Sequence, residues 1–166
     1  PNEKTFFWRG RYHNDLNIRT TLDTQLNVLT KFKPIVPDNF KDSSIVLLGN
    51  LDPNLQGAVL DQMVKPKLVI MDTMNFWIES YRDKVDEVIS RVDVLSINDE
   101  EARQLAKSQS LVESAQKLQS MGPRYIVIKK GEHGALLFSG KKFFYAPAFP
   151  LSEVFDPTGS SHSPGW

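Results

Sequence analysis

The 166-residue chain carries 20 basic and 20 acidic side chains, so it has no formal net charge and lacks the basic excess that a nucleic-acid surface needs. With 40% apolar and 24% charged residues it has the composition of a globular protein able to build one core. It shows no apolar run near the length that spans a bilayer and no signal-peptide pattern. The absence of cysteine rules out disulfides and thiolate metal sites and agrees with a cytoplasmic location, and His13, His133 and His162 are too scattered for metal-ligand spacing.

Lys4 to Trp8 and Thr24 to Leu29 read as two strands, with a polar, turn-like stretch from Arg11 to Asp15 between them. From Ser44 the pattern changes. Ile45 to Gly49 is a continuous apolar run, as expected of a strand buried on both faces. Asp52-Pro53 supplies an N-cap and a first helical residue, after which Leu55, Val59, Leu60 and Met63 recur at helical spacing. Leu68 to Met71 is the next buried strand, ending at Asp72. Residues 82–91 predict a helix with Val85, Val88 and Ile89 inward, and Val94 to Ile97 a third strand. Helices follow over 99–107 and 110–121, the second opened by Ser110 with Glu113 three residues on and closed by Gly122-Pro123. Tyr125 to Lys129 is a fourth strand, and Ala135 to Phe138 with Lys142 to Tyr145 form a hairpin over Ser139-Gly140.

This alternation predicts an α/β fold, a mostly parallel sheet with helices on both faces, in a single domain with an N-terminal antiparallel β segment (1–30) and an α/β core (44–166). Ligands of such sheets sit beyond the carboxyl ends of the strands. Three of those ends carry chemistry: Asp72-Thr73-Met74-Asn75, Asn98-Asp99-Glu100-Glu101 and Lys130-Gly131-Glu132-His133-Gly134. Each has a plain structural use as well. Asn98 with Glu101 at N3 makes a capping box, and the G-x-x-G of Gly131 and Gly134 serves a chain reversal, with His133 facing solvent. Near the C-terminus, Asp156-Pro157-Thr158-Gly159 fixes a turn, and the small residues after it leave backbone N–H groups uncovered for an anion.

Taken together and in order, these motifs resemble the ribokinase-like (PfkB) carbohydrate kinases over most of the chain from residue 44 to 159. The resemblance implies an ATP-dependent kinase that phosphorylates a sugar hydroxyl, or that of a nucleoside in the narrower alternative, with ATP and Mg²⁺ as cofactors. It assigns Asn98 and Glu101 to Mg²⁺ through water, and Lys129, Gly131 and Gly134 to the nucleotide. Gly159, Ser160 and Ser161 fall on the anion hole, and Asp156 and Thr158 on a monovalent-cation site. Residues 1–30 are then similar to the small β lid over the sugar, an edge hairpin being the alternative.

The chain also departs from that family. Its signature D-[TP]-T-G-A-G-D is kept only to Gly159; Ser160, Ser161 and His162 replace Ala, Gly and the catalytic Asp, and the chain runs out at Ser163-Pro164-Gly165-Trp166. The family's first strands with the Gly-Gly-Asn sugar segment, and its C-terminal helices, have no counterpart. The expectation is therefore a fragment of a kinase, inactive alone, with His162 as the one candidate base. A non-catalytic α/β nucleotide-binding or assembly module is the competing reading. Apolar faces left uncovered predict a homo-oligomer, with neither nucleic acid nor membrane as partner.

Overall fold

In the computed structural model, which describes residues 3–13 and 19–150, the alternating segments from Ile45 onward form one six-stranded sheet. Its strands are β3 (Ile45–Leu48), β4 (Leu68–Asp72), β5 (Val94–Asn98), β6 (Tyr125–Lys129), β7 (Ala135–Ser139) and β8 (Lys142–Ala146), in that spatial order. The first four are parallel, and the β7–β8 hairpin adds two antiparallel strands at one edge. A separate two-stranded antiparallel sheet, β1 (Phe7–Tyr12) with β2 (Arg19–Gln25), precedes it. The expected antiparallel pair outside the main sheet is present, but its boundaries differ. The second strand stops at Gln25, because Asn27 turns left-handed (φ 49°) and starts a 3-10 turn over Asn27–Lys31. Asn tolerates this conformation better than most residues. Its Nδ2 also donates to the Thr5 carbonyl at 2.7 Å, which pins the turn to the start of the chain.

Five helices connect or follow the parallel strands: α1 (Pro53–Leu60), α2 (Asn75–Ser80), α3 (Arg82–Ile89), α4 (Asp99–Ala106) and α5 (Leu111–Ser120). Asp52 caps α1 by accepting from the Asn54 N–H at 2.8 Å, with Pro53 as first residue. Ser110 caps α5 by accepting from the Glu113 N–H at 3.3 Å, but that capping box is half made. The Glu113 carboxylate accepts from the Ser108 hydroxyl at 2.9 Å, and the same hydroxyl takes the Ser110 N–H. The six-residue α2 is an addition to the predicted elements. Its N-cap Met74 offers no side-chain bond, and it is held by burial of Trp77 and Ile78.

Each step from β3 to β6 adds a parallel strand on the same side, and right-handed crossovers taken repeatedly in one direction leave their helices on one face. The helices touch in the order α1, α3, α2, α4, α5, as a single layer must. Burial alternates accordingly. Val46, Leu48, Val69, Met71, Leu95, Ile97, Ile126 and Ile128 point into the core, whereas Ile45 and Leu47 are 63% and 69% exposed. The ribokinase-like sheet is as expected, with its helices along one face among the described residues. For β3 the reading of a strand buried on both sides is corrected. It is an edge strand covered on one side, so its apolar run reflects a second face that the described residues leave open.

Leu95 is fully buried at the centre of this core. Leu95→Ala should lower the unfolding free energy by about 2–5 kcal/mol through lost transfer energy and the cavity left behind, read as a drop in the midpoint of urea or thermal unfolding.

Candidate active site at the strand ends

The carboxyl ends of β3, β4, β5 and β6 gather the polar groups of the sheet. Asn98 closes β5 and opens α4, and the capping box is complete: Asn98 Oδ1 accepts from the Glu101 N–H at 2.8 Å, and Glu101 Oε2 accepts from the Asn98 N–H at 2.8 Å. Glu101 is only 3% exposed. The box holds that carboxylate at the sheet edge, which is the structural use expected of N-x-x-E.

Lys129 stands directly opposite Asn98 in the β5–β6 register. Its ammonium reaches past β5 to Asp72, the last residue of β4, at 3.3 Å. Asp72 Oδ1 also accepts from the Thr73 N–H at 2.9 Å. The ends of β4 and β6 are thus joined by an ion pair across the end of β5, and the glycine turn follows β6 directly. There Gly131 and Gly134 take positive φ (55° and 83°), with a 3-10 turn over Gly131–His133. The N–H groups of Lys130, His133 and Gly134 bond to carbonyls within the turn, so these three amides serve the reversal first. His133 faces solvent, as expected, with its carbonyl accepting from the Tyr145 hydroxyl at 2.7 Å.

Two contributors were not singled out from the sequence. Gln56, 2% exposed, donates through Nε2 to the Gly49 carbonyl (2.8 Å) and the Asp72 carbonyl (2.9 Å), tying the ends of β3 and β4 together. Trp77 Nε1 donates to Asn50 Oδ1 at 3.0 Å, fastening α2 to the end of β3. A glutamine one turn before the inward Leu60 was the available signal for the first; nothing local marked the second. Asp38, Glu113 and Lys84, on exposed surface outside this site, have shifted acidity. Asp38 is lowered by its hydrogen bond to Lys41, Glu113 is lowered by Lys117, and Lys84 is raised by Glu87.

Among the described residues no three His, Asp or Glu side chains group as a metal cage. Mg²⁺ keeps most of its water and typically uses one or two carboxylates plus substrate phosphates, and Glu101 beside Asn98 fits that demand. A cleft bounded by Lys4, Thr5, Phe6, Phe7, Gln25 and Asn27 belongs to the N-terminal sheet and shares no residue with the strand ends.

Residues 23–160 match the family described as pfkB family carbohydrate kinase. The chain belongs to this family. A cytidine kinase from Thermococcus kodakarensis is 29% identical over 162 residues, covering 94% of this chain and 57% of that protein. The nucleoside kinase of Methanocaldococcus jannaschii, an archaeal member of the ribokinase family, superposes with a TM-score of 0.70 at 17% identity, over 96% of this chain and 52% of its own. An E. coli protein assigned as a ribokinase II superposes with a TM-score of 0.75 in its apo form, at 18% identity, over 97% of this chain and 56% of its own. Its complex with ATP and Mg²⁺ gives a TM-score of 0.73 at 16% identity. At such identities the likeness to the solved structures is one of fold. The chain spans 57% of the curated relative's length. The pfkB signature residues Asp156, Thr158, Gly159, Ser160, Ser161 and His162 lie outside the described residues. No described helix is long and apolar enough to cross a membrane.

The turn after β6 depends on Gly134. A side chain there would run into the Ala146 carbonyl and into backbone atoms of Pro147 and Ala148 at 2.8 and 2.7 Å, at a φ that only glycine adopts easily. Gly140 has a positive φ but open space around it. Gly140→Ala should therefore cost about 1–2 kcal/mol, and Gly134→Ala clearly more, compared side by side in thermal melts.

Proposed function

We propose that this chain supplies the phosphate-binding edge of an ATP-dependent phosphotransferase whose acceptor is a hydroxyl on the sugar of a nucleoside. The observation that carries this reading is the meeting of Asn98, Glu101 and Lys129 at adjacent strand ends, beside the glycine turn of the pfkB pattern. The cytidine kinase and nucleoside kinase among the relatives favour a nucleoside over a free sugar.

Phosphoryl transfer is mostly positioning and charge stabilisation. Bound Mg²⁺ would neutralise charge on the transferring phosphate, with Asn98 and Glu101 holding it through water. Lys129 would place an ammonium against the nucleotide phosphates, and Gly131 and Gly134 would let that backbone come close. In the proposed assignment Gly159, Ser160 and Ser161 form the anion hole, and Asp156 and Thr158 take a monovalent cation. His162 stands where the family has its catalytic Asp, and loss of a general base lowers rates by about 10²- to 10⁴-fold. Ser161 replaces a glycine whose backbone approaches the phosphate. These departures support the second reading, a nucleotide-binding or assembly module with the chemistry lost. The cysteine-free composition supports a cytoplasmic setting.

In an ADP-release assay with MgATP and a panel of nucleosides and sugars, the purified chain is expected to turn over none of them and to bind nucleotide weakly. Robust phosphorylation of any acceptor would overturn the reading of an inactive fragment and leave His162 as the candidate base, and that activity should then fall sharply in His162→Ala.

The sheet face that the described residues leave open and the outer hairpin expose Ile45, Leu47, Phe143 and Phe144. Apolar groups so placed favour self-association, and sedimentation velocity is expected to show a homo-oligomer. A single monomeric boundary at high concentration would count against it.

A further inference from the structure

Asp72 is the marked strand end for which the proposed chemistry has no use. Its side chain is 10% exposed, and it faces an ammonium contributed from 57 residues further along the chain. The carboxylate is held from below, since the Thr73 N–H donates to Oδ1 and Gln56 ties the Asp72 carbonyl to that of Gly49. It is thus a fixed anion on a rigid strand, whereas Lys129 is a long side chain with several rotors.

The register shows how the two meet. Asp72 is opposite Ser96, Ser96 is opposite Val127, and Lys129 lies two residues beyond Val127 on the same side of the sheet. To reach Asp72 the lysine must lean back across the end of β5, over the position of Ser96. A small residue there leaves the passage open. An ammonium has three donors, and a 3.3 Å bond to one carboxylate oxygen leaves capacity for another anion at the edge where Asn98 stands alongside.

We propose that Asp72 is a positioning residue that holds the Lys129 ammonium at the carboxyl edge of the sheet, ordered in advance for a nucleotide phosphate. Lysine loses more rotamer freedom on ordering than most side chains, so a lysine already held binds phosphate at a smaller entropic cost. The negative charge of Asp72 works in the other direction. The positioning role requires that, with the triphosphate charge shared by Mg²⁺, this repulsion be the smaller of the two effects, which the Asp72→Asn titration reads directly.

The inference rests on the nucleotide reading above, and its test separates the two. MgATP and adenosine are titrated into the full chain by NMR, for the unaltered protein and for Asp72→Asn, Lys129→Met, the double variant and Ser96→Val. The last fills the lysine's passage while leaving both charges in place. Asp72→Asn, Ser96→Val and Lys129→Met should each weaken MgATP about three- to tenfold and leave adenosine unchanged. The double variant should be no weaker than Lys129→Met alone. A protonated Lys129 Nζ signal in slow exchange should be visible in the unaltered chain and absent from Asp72→Asn. MgATP affinity unchanged or raised in folded Asp72→Asn, or losses that simply add in the double variant, would overturn the positioning role and leave the nucleotide site standing. Absence of any MgATP binding by the unaltered chain would overturn both.

Discussion

A right-handed crossover between parallel neighbours has one face on which to lay its helix, and the three crossovers from β3 to β6 all run in the same direction. That constraint decides more than the helix layer. Because side chains alternate along a strand, Met71, Ile97 and Ile128 are committed to the helix side, and their neighbours Asp72, Asn98 and Lys129 stand on the other side or at the edge. The residues that make the core and those that make the site are interleaved along the same three strands. A one-residue slip in register would bury the charges and expose the aliphatics. Fold and site are therefore specified by one pattern, and the stability of the first guards the geometry of the second.

Around that edge the chain spends its capping groups where chemistry is also expected. The Asn98–Glu101 box satisfies two donors at the start of α4 while fixing a carboxylate at the end of β5. Gln56 closes the gap between β3 and β4 by donating to one carbonyl from each, and Trp77 performs the same service for α2. These bonds lie on different elements yet converge on strand ends and on the residues just past β3, so the edge is stiffened from three directions.

Much of this could be read from the order of residues alone. The four parallel strands, the hairpin after them and the helices with Asp52, Asn98 and Ser110 as caps all have local causes: apolar runs, turn residues and capping pairs a few positions apart. What escaped the sequence has a non-local cause. The helix α2 is short and lacks a side-chain cap, so only the burial of Trp77 and Ile78 makes it form. The end of β2 depends on Asn27 reaching Thr5, 22 residues away. The one-sided burial of β3 follows from the direction of the crossovers, which no property of Ile45 to Leu48 encodes. The Asp72–Lys129 pair spans 57 residues. Asp72 was visible as a marked strand end and Lys129 through the family resemblance, but their meeting needed the register of three strands.

The charge pattern at the edge bears on what could dock there. A helix N-terminus is ordinarily attractive to anions, but α4 opens on Asp99, Glu100 and Glu101, so its dipole is answered from within the chain. Asp99 is in turn paired with Arg103 at 2.6 Å, and Lys129 with Asp72 at 3.3 Å. A bare phosphate approaching α4 would meet carboxylates before it met any donor. Under the proposed assignment a phosphate carrying a divalent cation would not, because the cation would face Glu101 while the phosphate oxygens turned toward Lys129. That assignment therefore asks for an anion that arrives with its metal, at the same acidic first turn that stabilises the helix.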